Sequence, residues 1–152
     1  MLKKRIVFVL GSNIGDRKNY LQNAIKELQE KLALTNLKQS SILENKALLL
    51  PDSPKEWDMD FLNLALSADI NLSEFEPLKI LEIIKQIENN LGRINRGKWG
   101  PREIDIDIIL IKDLKINLGT ELQIPHPGLF NRDFFLKTIK EIEPKLLEEV
   151  LS

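Results

Sequence analysis

The chain has 152 residues, 43% hydrophobic and 30% charged, with 22 basic against 23 acidic side chains and a formal net charge of −1. That much apolar surface suits one domain spanning 1–152, and the near balance of charge leaves no basic footprint for a general nucleic-acid or membrane-surface binder. With no cysteine and a single His, disulfides, iron–sulfur clusters, thiol catalysis and Cys- or multi-His metal centres are excluded; any metal must sit on carboxylates, which favours Mg²⁺, Mn²⁺ or Ca²⁺.

Residues 6–10, Ile-Val-Phe-Val-Leu, form a short β-branched apolar run fit for a buried strand. The run is too short for a signal peptide or a membrane span, and the expected compartment is the cytoplasm. Gly11-Ser12-Asn13 is read as the break, and Asp16 as the cap or charge complement of a helix over 16–33 whose buried stripe is Leu21, Ala24, Ile25, Leu28 and Leu32. A second strand is expected at about 37–43, although its alternation is poor. Residues 48–60 carry Pro51, Pro54 and four acidic side chains, and loops of that length are usually functional or disordered.

A strand resumes at 61–70, with Phe61, Asn63 and Ala65 on one face and Leu62, Leu64 and Leu66 on the other. Ser73 and Glu76 have capping-box spacing, and Pro77 suits a first helical turn. Ile80, Leu81, Ile84, Ile87 and Leu91 then make a helical stripe closed by Gly92. A strong strand follows at 104–111, with Ile104, Ile106, Ile108 and Leu110 expected on its helix-packed face. Next come a short hairpin-like region, the breaker at 124–128 and a helix over about 131–142. Two strand–helix–strand units in succession predict an α+β, ferredoxin-like plan: a mostly antiparallel sheet with helices packed on it and long mobile active-site loops.

Asp105 and Asp107 are two apart on a strand, so their carboxylates lie side by side, with Cα atoms roughly 6–7 Å apart. Charges that close repel unless a cation sits between them, and hard oxygen ligands suit Mg²⁺ holding a polyphosphate. An isolated Asp-x-Asp reads first as a solvated strand face. Arg93, Arg96, Lys98 and Arg102, within the stretch 93–102 just upstream, tip the reading toward phosphoryl chemistry, which depends on positioning and charge neutralisation. Trp99 among them suits packing against a base or an arginine.

Phe61 beside Asn63 offers an aromatic face and a donor–acceptor amide, the chemistry for the edge of a heteroaromatic ring, and Phe134 is a candidate opposing ring. Unaided, both read as core and turn residues. Residues 11–16 join strand to helix like a phosphate cradle but match no nucleotide fingerprint, and a structural turn is the better reading. His126, between two prolines, titrates nearest neutral pH, although a loop fixture is the commoner role.

In this order the pieces resemble one family, 6-hydroxymethyl-7,8-dihydropterin pyrophosphokinase of the folate pathway. The residues that carry the resemblance are Leu10-Gly11-Ser12-Asn13-Ile14-Gly15-Asp16, Phe61-Leu62-Asn63, Glu88 with Leu91-Gly92-Arg93, Trp99-Gly100-Pro101-Arg102 through Ile104-Asp105-Ile106-Asp107-Ile108, and Ile124-Pro125-His126-Pro127 with Arg132-Asp133-Phe134. The resemblance implies transfer of the β,γ-pyrophosphoryl group of ATP to the pterin hydroxymethyl oxygen, leaving AMP. It implies two Mg²⁺ ions on Asp105 and Asp107, with Arg93 and Arg102 on the phosphates. Glu88, Trp99, His126 and Arg132 are implied about the nucleotide, and Phe61, Phe134, Asn63 and Asn45 about the pterin, with 48–60 as a closing loop.

The chain departs from the usual pattern at several positions. Asn45 stands where Thr is common, Lys85 where Gln is frequent and Glu121 where a phosphate-facing Arg is often found. Phe61 replaces Tyr, and the stretch 94–98 is a residue short. The partners implied are small molecules, with neither nucleic acid nor membrane, in a monomer or one part of a bifunctional folate-pathway chain. The competing reading is a non-catalytic ferredoxin-like module that binds RNA or a nucleotide. It lacks an electrostatic footprint and the paired aromatics of an RNA-binding sheet.

Overall fold

The computed structural model describes residues 2–46, 50–97 and 100–152. In chain order the elements are β1 (Lys3–Ser12), α1 (Arg17–Lys31), β2 (Thr35–Gln39), β3 (Leu43–Asn45), β4 (Phe61–Asn71), α2 (Pro77–Asn90), β5 (Asp105–Ile111), β6 (Ile116–Asn117), β7 (Gln123–Ile124), α3 (Asp133–Ile142) and α4 (Pro144–Leu151). The main sheet runs β2-β4-β1-β5, with β3 also paired to β4, and every pairing is antiparallel. This is the α+β, ferredoxin-like plan that the order of apolar runs predicts. β6 and β7 form the expected small hairpin.

Alternation along the strands divides the core in two. One sheet face presents Ile6, Phe8, Leu10, Leu64, Leu66 and Ile106 to the apolar stripes of α1 and α2. The opposite face presents Val7, Val9 and Ala65 to Phe135 and Ile139 of α3 and to Leu146 and Leu147 of α4. Toward the other end of that second face lie Gly11, Asn63, Asp105 and Asp107, which line a cavity.

Four local expectations are corrected, and one element is added. β1 runs through Gly11 and Ser12 instead of breaking there. The strand expected at 37–43 is two strands: the Ser40 hydroxyl accepts the Ala65 N–H (2.8 Å) and turns the chain, and Glu141 takes the N–H and hydroxyl of Ser41 at 3.0 and 2.9 Å. The Ser73–Glu76 capping box does not form. Pro77 is the first helical residue, so Glu76 is the N-cap, while the Ser73 hydroxyl accepts the Leu2 N–H. Leu110 does not share a face with Ile108, because the β1–β5 register shifts between Val7↔Leu110 and Phe8↔Ile108. The extra residue, Ile109, is a bulge that sends Leu110 to the α3–α4 side. Finally, α4 was not anticipated: Pro144 starts it, and Leu146 and Leu147 bury its inner side.

Away from the cavity, Arg5 ties the sheet to the α3–α4 junction. Its guanidinium donates to Glu143 (2.8 Å), the Asn36 carbonyl (2.7 Å), Asp69 (3.2 Å) and Ser67 (3.0 Å). The Asn36 amide and this guanidinium hold the Asp69 carboxyl below its ordinary range.

Candidate active site

Strand register places the site. Gly11 of β1 pairs with Asn63 on β4 and with Asp105 on β5, and Val9 pairs with Ala65 and Asp107 in the next row. β3 extends the first row outward through Leu43↔Asn63 and sets Asn45 opposite Phe61. Side chains two apart share a face, so Phe61, Asn63, Asp105 and Asp107 all point to one side. They line a cavity of about 300 Å³ with Asn45, Lys46, Gly100, Arg102, Arg132, Phe134 and Phe135. Gly11 keeps it open: a Cβ there would lie 2.8 Å from Asn63 Oδ1 and 3.4 Å from the Phe61 ring.

The aromatic and amide wall is braced from behind. Asn63, 4% exposed, donates its side-chain N–H to Asn45 Oδ1. The amide at position 45 thus fixes the orientation of the amide at 63. Phe134 enters from the first turn of α3 and meets Phe135 edge to face, with centroids 4.7 Å apart. Phe135 in turn packs edge-on against His126 at 5.3 Å and under the Arg132 guanidinium at 5.2 Å.

The charged wall begins where α2 stops. Gly92, at φ +93, lets its N–H bond the Asn89 carbonyl and the Arg93 N–H bond the Glu88 carbonyl. This is a Schellman motif, and it folds Arg93 back along the helix end. Arg93 Nη1 reaches Glu88 at 2.8 Å and Asp105 at 3.3 Å, and Arg102 Nη1 reaches the other Asp105 oxygen at 3.1 Å.

Glu88 is buried and also accepts the Ile106 N–H at 2.9 Å. Burial pushes its carboxyl up to about 7, against the pull of Arg93. Asp107 is raised well above its ordinary value, first by burial and then by the charge of Asp105, with Arg132 and Arg102 opposing. The bulge gives His126 its seat, since the Ile109 carbonyl accepts the His126 N–H at 2.7 Å. Its Nδ1 accepts the Gly128 N–H at 2.9 Å, and Nε2 stands 3.9 Å from Asp107. Burial and Arg132 lower its pKa, so the imidazole is neutral near pH 7.

The structure thus gathers Asp105, Asp107, Arg93, Arg102, Glu88, His126, Arg132, Asn45, Phe61, Asn63 and Phe134 around one end of the sheet. Trp99 and Lys98 lie outside the described residues, as do 48 and 49 of the expected loop. Arg96 is a correction. It binds Glu103 through two nitrogens at 2.8 and 2.6 Å and also the Pro101 carbonyl at 3.2 Å, so it clasps its own loop instead of facing the aspartates. Glu103 and Lys46 carried no signal in the sequence reading. In the turn after β1, Asp16 caps α1 by accepting the Asn19 N–H. Glu121 is exposed on the β6–β7 turn and Lys85 on α2. Lys85 lines a second cavity of about 340 Å³ with Glu88, Asn89, Arg93 and Arg96, and Arg102 and Gly100 line both cavities.

A divalent cation fits the donor set. The two aspartates offer only hard carboxylate oxygens on one face, and Asp107 carries a burial and like-charge penalty that a cation between them would relieve. Among the described residues no third His, Cys, Asp or Glu joins them. That suits an ion that keeps several sites for water and substrate oxygens, as Mg²⁺ does. Among the described residues no helix is long and apolar enough to cross a membrane.

The sequence model of the family described as 7,8-dihydro-6-hydroxymethylpterin-pyrophosphokinase matches residues 7–144. The chain is 44% identical over 136 residues to a folate synthesis bifunctional protein of Chlamydia muridarum, covering 89% of this chain and 29% of that protein. It is 41% identical over 145 residues to the 2-amino-4-hydroxy-6-hydroxymethyldihydropteridine pyrophosphokinase of Aquifex aeolicus, covering 93% of this chain and 81% of that one. Among solved structures it is similar to Plasmodium falciparum HPPK-DHPS with pteroate: TM-score 0.62, 17% identity, covering 92% of this chain and 39% of that chain. That last likeness concerns the fold.

Proposed function

The chain belongs to the 7,8-dihydro-6-hydroxymethylpterin-pyrophosphokinase family, and from that premise we propose that it transfers the β,γ-pyrophosphoryl group of ATP to the hydroxymethyl oxygen of 6-hydroxymethyl-7,8-dihydropterin, giving the pterin diphosphate and AMP. The observation that carries the proposal is the sharing of one cavity by an aromatic–amide slot and an arginine-flanked pair of aspartates. One pocket for a flat heterocycle and one for a charged phosphate chain is what a two-substrate transfer requires. The non-catalytic module has no such need.

In this reading Phe61 and Phe134 hold the two faces of the pterin. The Asn63 amide, oriented by Asn45, reads the ring edge with its donor and acceptor. Asp105 and Asp107 hold two Mg²⁺ ions, which when bound neutralise phosphate charge and raise the acidity of the attacking hydroxyl. Arg93 and Arg102 turn from Asp105 to the phosphate oxygens and stabilise the charge that develops on the leaving α-phosphate. Glu88 retains Arg93 by its short ion pair, and His126 and Arg132 line the nucleotide side next to Asp107. The adjoining cavity, reached past Arg102, accommodates the rest of the nucleotide. The segment 50–60 closes over both substrates and excludes water, which competes for the same phosphorus.

The activity belongs to a single domain, 1–152, in a monomer or as one part of a bifunctional chain, since this chain spans only 29% of its Chlamydia muridarum relative. Incubation with ATP, Mg²⁺ and 6-hydroxymethyl-7,8-dihydropterin, followed by separation of nucleotides, tests the reading. AMP in step with pterin diphosphate is expected. ADP would make the enzyme a simple kinase, and no pterin-dependent turnover would end the proposal.

A further inference from the structure

We propose that Asn13 is a positioning residue whose buried side-chain amide sets the backbone of Arg102 and thereby aims its guanidinium at the phosphate side of the cavity. The proposal rests on the pyrophosphoryl-transfer reading for the ligand that Arg102 meets. It concerns a residue that touches neither of the aspartates and that the reaction as described above does not use.

Three observations support it. First, regular pairing of β1 with β5 ends at Gly11↔Asp105. Continued antiparallel register would set residue 13 opposite 103, yet Asn13 engages Arg102 instead. Its backbone N–H donates to the Arg102 carbonyl at 3.1 Å, and its Oδ1 accepts the Arg102 N–H at 2.8 Å. Both backbone groups of Arg102 are thus held by one residue. Second, the remaining amide N–H of Asn13 points the other way, 3.4 Å from the Met59 carbonyl, two residues before Phe61. Third, Asn13 is 2% exposed, so water cannot replace these bonds.

Other side chains fit the geometry poorly. Asp keeps the acceptor but loses the donor, Ser is shorter, and Gln adds a methylene in a buried place. Arg102 depends on this hold. Its side chain is 39% exposed and, among the described residues, makes one ion pair, with Asp105 three residues on, so its aim is set mainly by the backbone from which it projects. Displacement of a charged group by about 1 Å can cost about 100-fold in rate. Asn13 thereby also links the strand entry that carries Phe61 to the segment that carries Arg102.

The test uses the whole chain in Asn13→Ala and Asn13→Asp, with Ser40→Ala as a control. Ser40 also uses a buried polar side chain to hold a backbone N–H, that of Ala65, but lies outside the cavity lining. The first readout is calorimetric affinity for α,β-methylene ATP with Mg²⁺. Asn13→Ala should weaken it about tenfold, the effect of losing about 1.4 kcal/mol of aim, while Asn13→Asp recovers most of it and Ser40→Ala leaves it unchanged. The second readout is a double-mutant cycle. In an Arg102→Met background, Asn13→Ala should cause no further loss, because its effect passes through Arg102. The third is the KM for ATP, which should rise in Asn13→Ala while that for the pterin stays within about twofold.

Unchanged analogue affinity in Asn13→Ala, or full additivity with Arg102→Met, would overturn the proposal. If the parent enzyme made no AMP from the pterin, the functional reading would fall while calorimetry and the cycle still decided the role of Asn13.

Discussion

Gly11→Ala isolates the pterin half of the site with one methyl group. Gly11 lies between Asn63 and Asp105 in the central strand, and its φ is not among the positive values, so alanine brings no backbone strain. The new Cβ would sit 2.8 Å from Asn63 Oδ1, closer than carbon and oxygen tolerate. Asn63 cannot swing away freely, because it is buried and bonded to Asn45. Overpacking of this kind costs about 1–3 kcal/mol. If the displaced amide is the group that reads the pterin, most of that appears as weaker pterin binding, about five- to hundredfold in dissociation constant. Fluorescence titration with 6-hydroxymethylpterin, in the presence of α,β-methylene ATP and Mg²⁺, measures it, and nucleotide affinity should stay within about twofold. In an Asn63→Ala background Gly11→Ala should cause no further loss, since the clash has nothing left to displace. Unchanged pterin affinity in Gly11→Ala would show that the amide at 63 does not face the ligand.

Three further outcomes follow from the same geometry. Asp107→Asn should reduce AMP formation by more than about 1,000-fold, as loss of a charge-stabilising group in a phosphoryl-transfer site does; its melting temperature without Mg²⁺ should not fall, because a half-buried like-charge contact is removed, and a clear drop would make Asp107 a stabilising residue. Phe134→Ala should weaken pterin binding by about tenfold or more and leave nucleotide affinity nearly unchanged; equal losses in calorimetry would remove the sandwich. Glu103 is held below its ordinary carboxyl range by its hydrogen bonds with Arg96, so its contribution is fully present above about pH 4.3, the unfolded value, and is lost as pH falls through the lower folded value; urea melts of Glu103→Gln should be less stable at pH 7 and converge on the parent at low pH, and a constant gap would deny the linkage.

Much of this was legible in the sequence because the periodicity was strong. Alternation over 61–66 gave both faces of β4, and the stripe from Ile80 to Ile87 with Gly92 gave α2 and its end. What escaped depended on choices that leave little mark on a one-dimensional pattern. The bulge at Ile109 is hidden by its neighbours, since residues 108–111 are all apolar and suit either face. The Ser73–Glu76 spacing fitted a capping box, but the fixed φ and missing N–H of Pro77 moved the start of the helix. The separation of β2 from β3 turns on one hydroxyl replacing a strand carbonyl at Ser40. In the site, the aspartates and aromatic residues were readable from spacing and from the family resemblance. Spacing alone does not sort Arg93, Arg96 and Arg102; the resemblance implies Arg93 and Arg102, and the physical reason, Glu103 taking Arg96 away, leaves no mark in the pattern.

That sorting of arginines follows a physical rule visible in the bond geometry. Arg96 meets Glu103 through two nitrogens at 2.8 and 2.6 Å, and Arg5 makes four hydrogen bonds, to β2, β4 and Glu143 at the α3–α4 junction. Multi-point clasps of this kind hold geometry and are costly to break. The contacts of Asp105 differ. It is met by one nitrogen from Arg93 at 3.3 Å and one from Arg102 at 3.1 Å, single contacts at the long end of the range. Such pairs exchange at low cost. In the proposed transfer, cations on the aspartates would take a partner from the two guanidiniums and phosphate oxygens would supply another, so no charge would be left bare in either state. Arg93 stays moored by its 2.8 Å bond to Glu88 and Arg102 by the backbone bonds to Asn13. The protein fixes where each guanidinium stands and leaves open what it binds, which is the condition that the proposed transfer sets for accepting a triphosphate and releasing AMP from the same place.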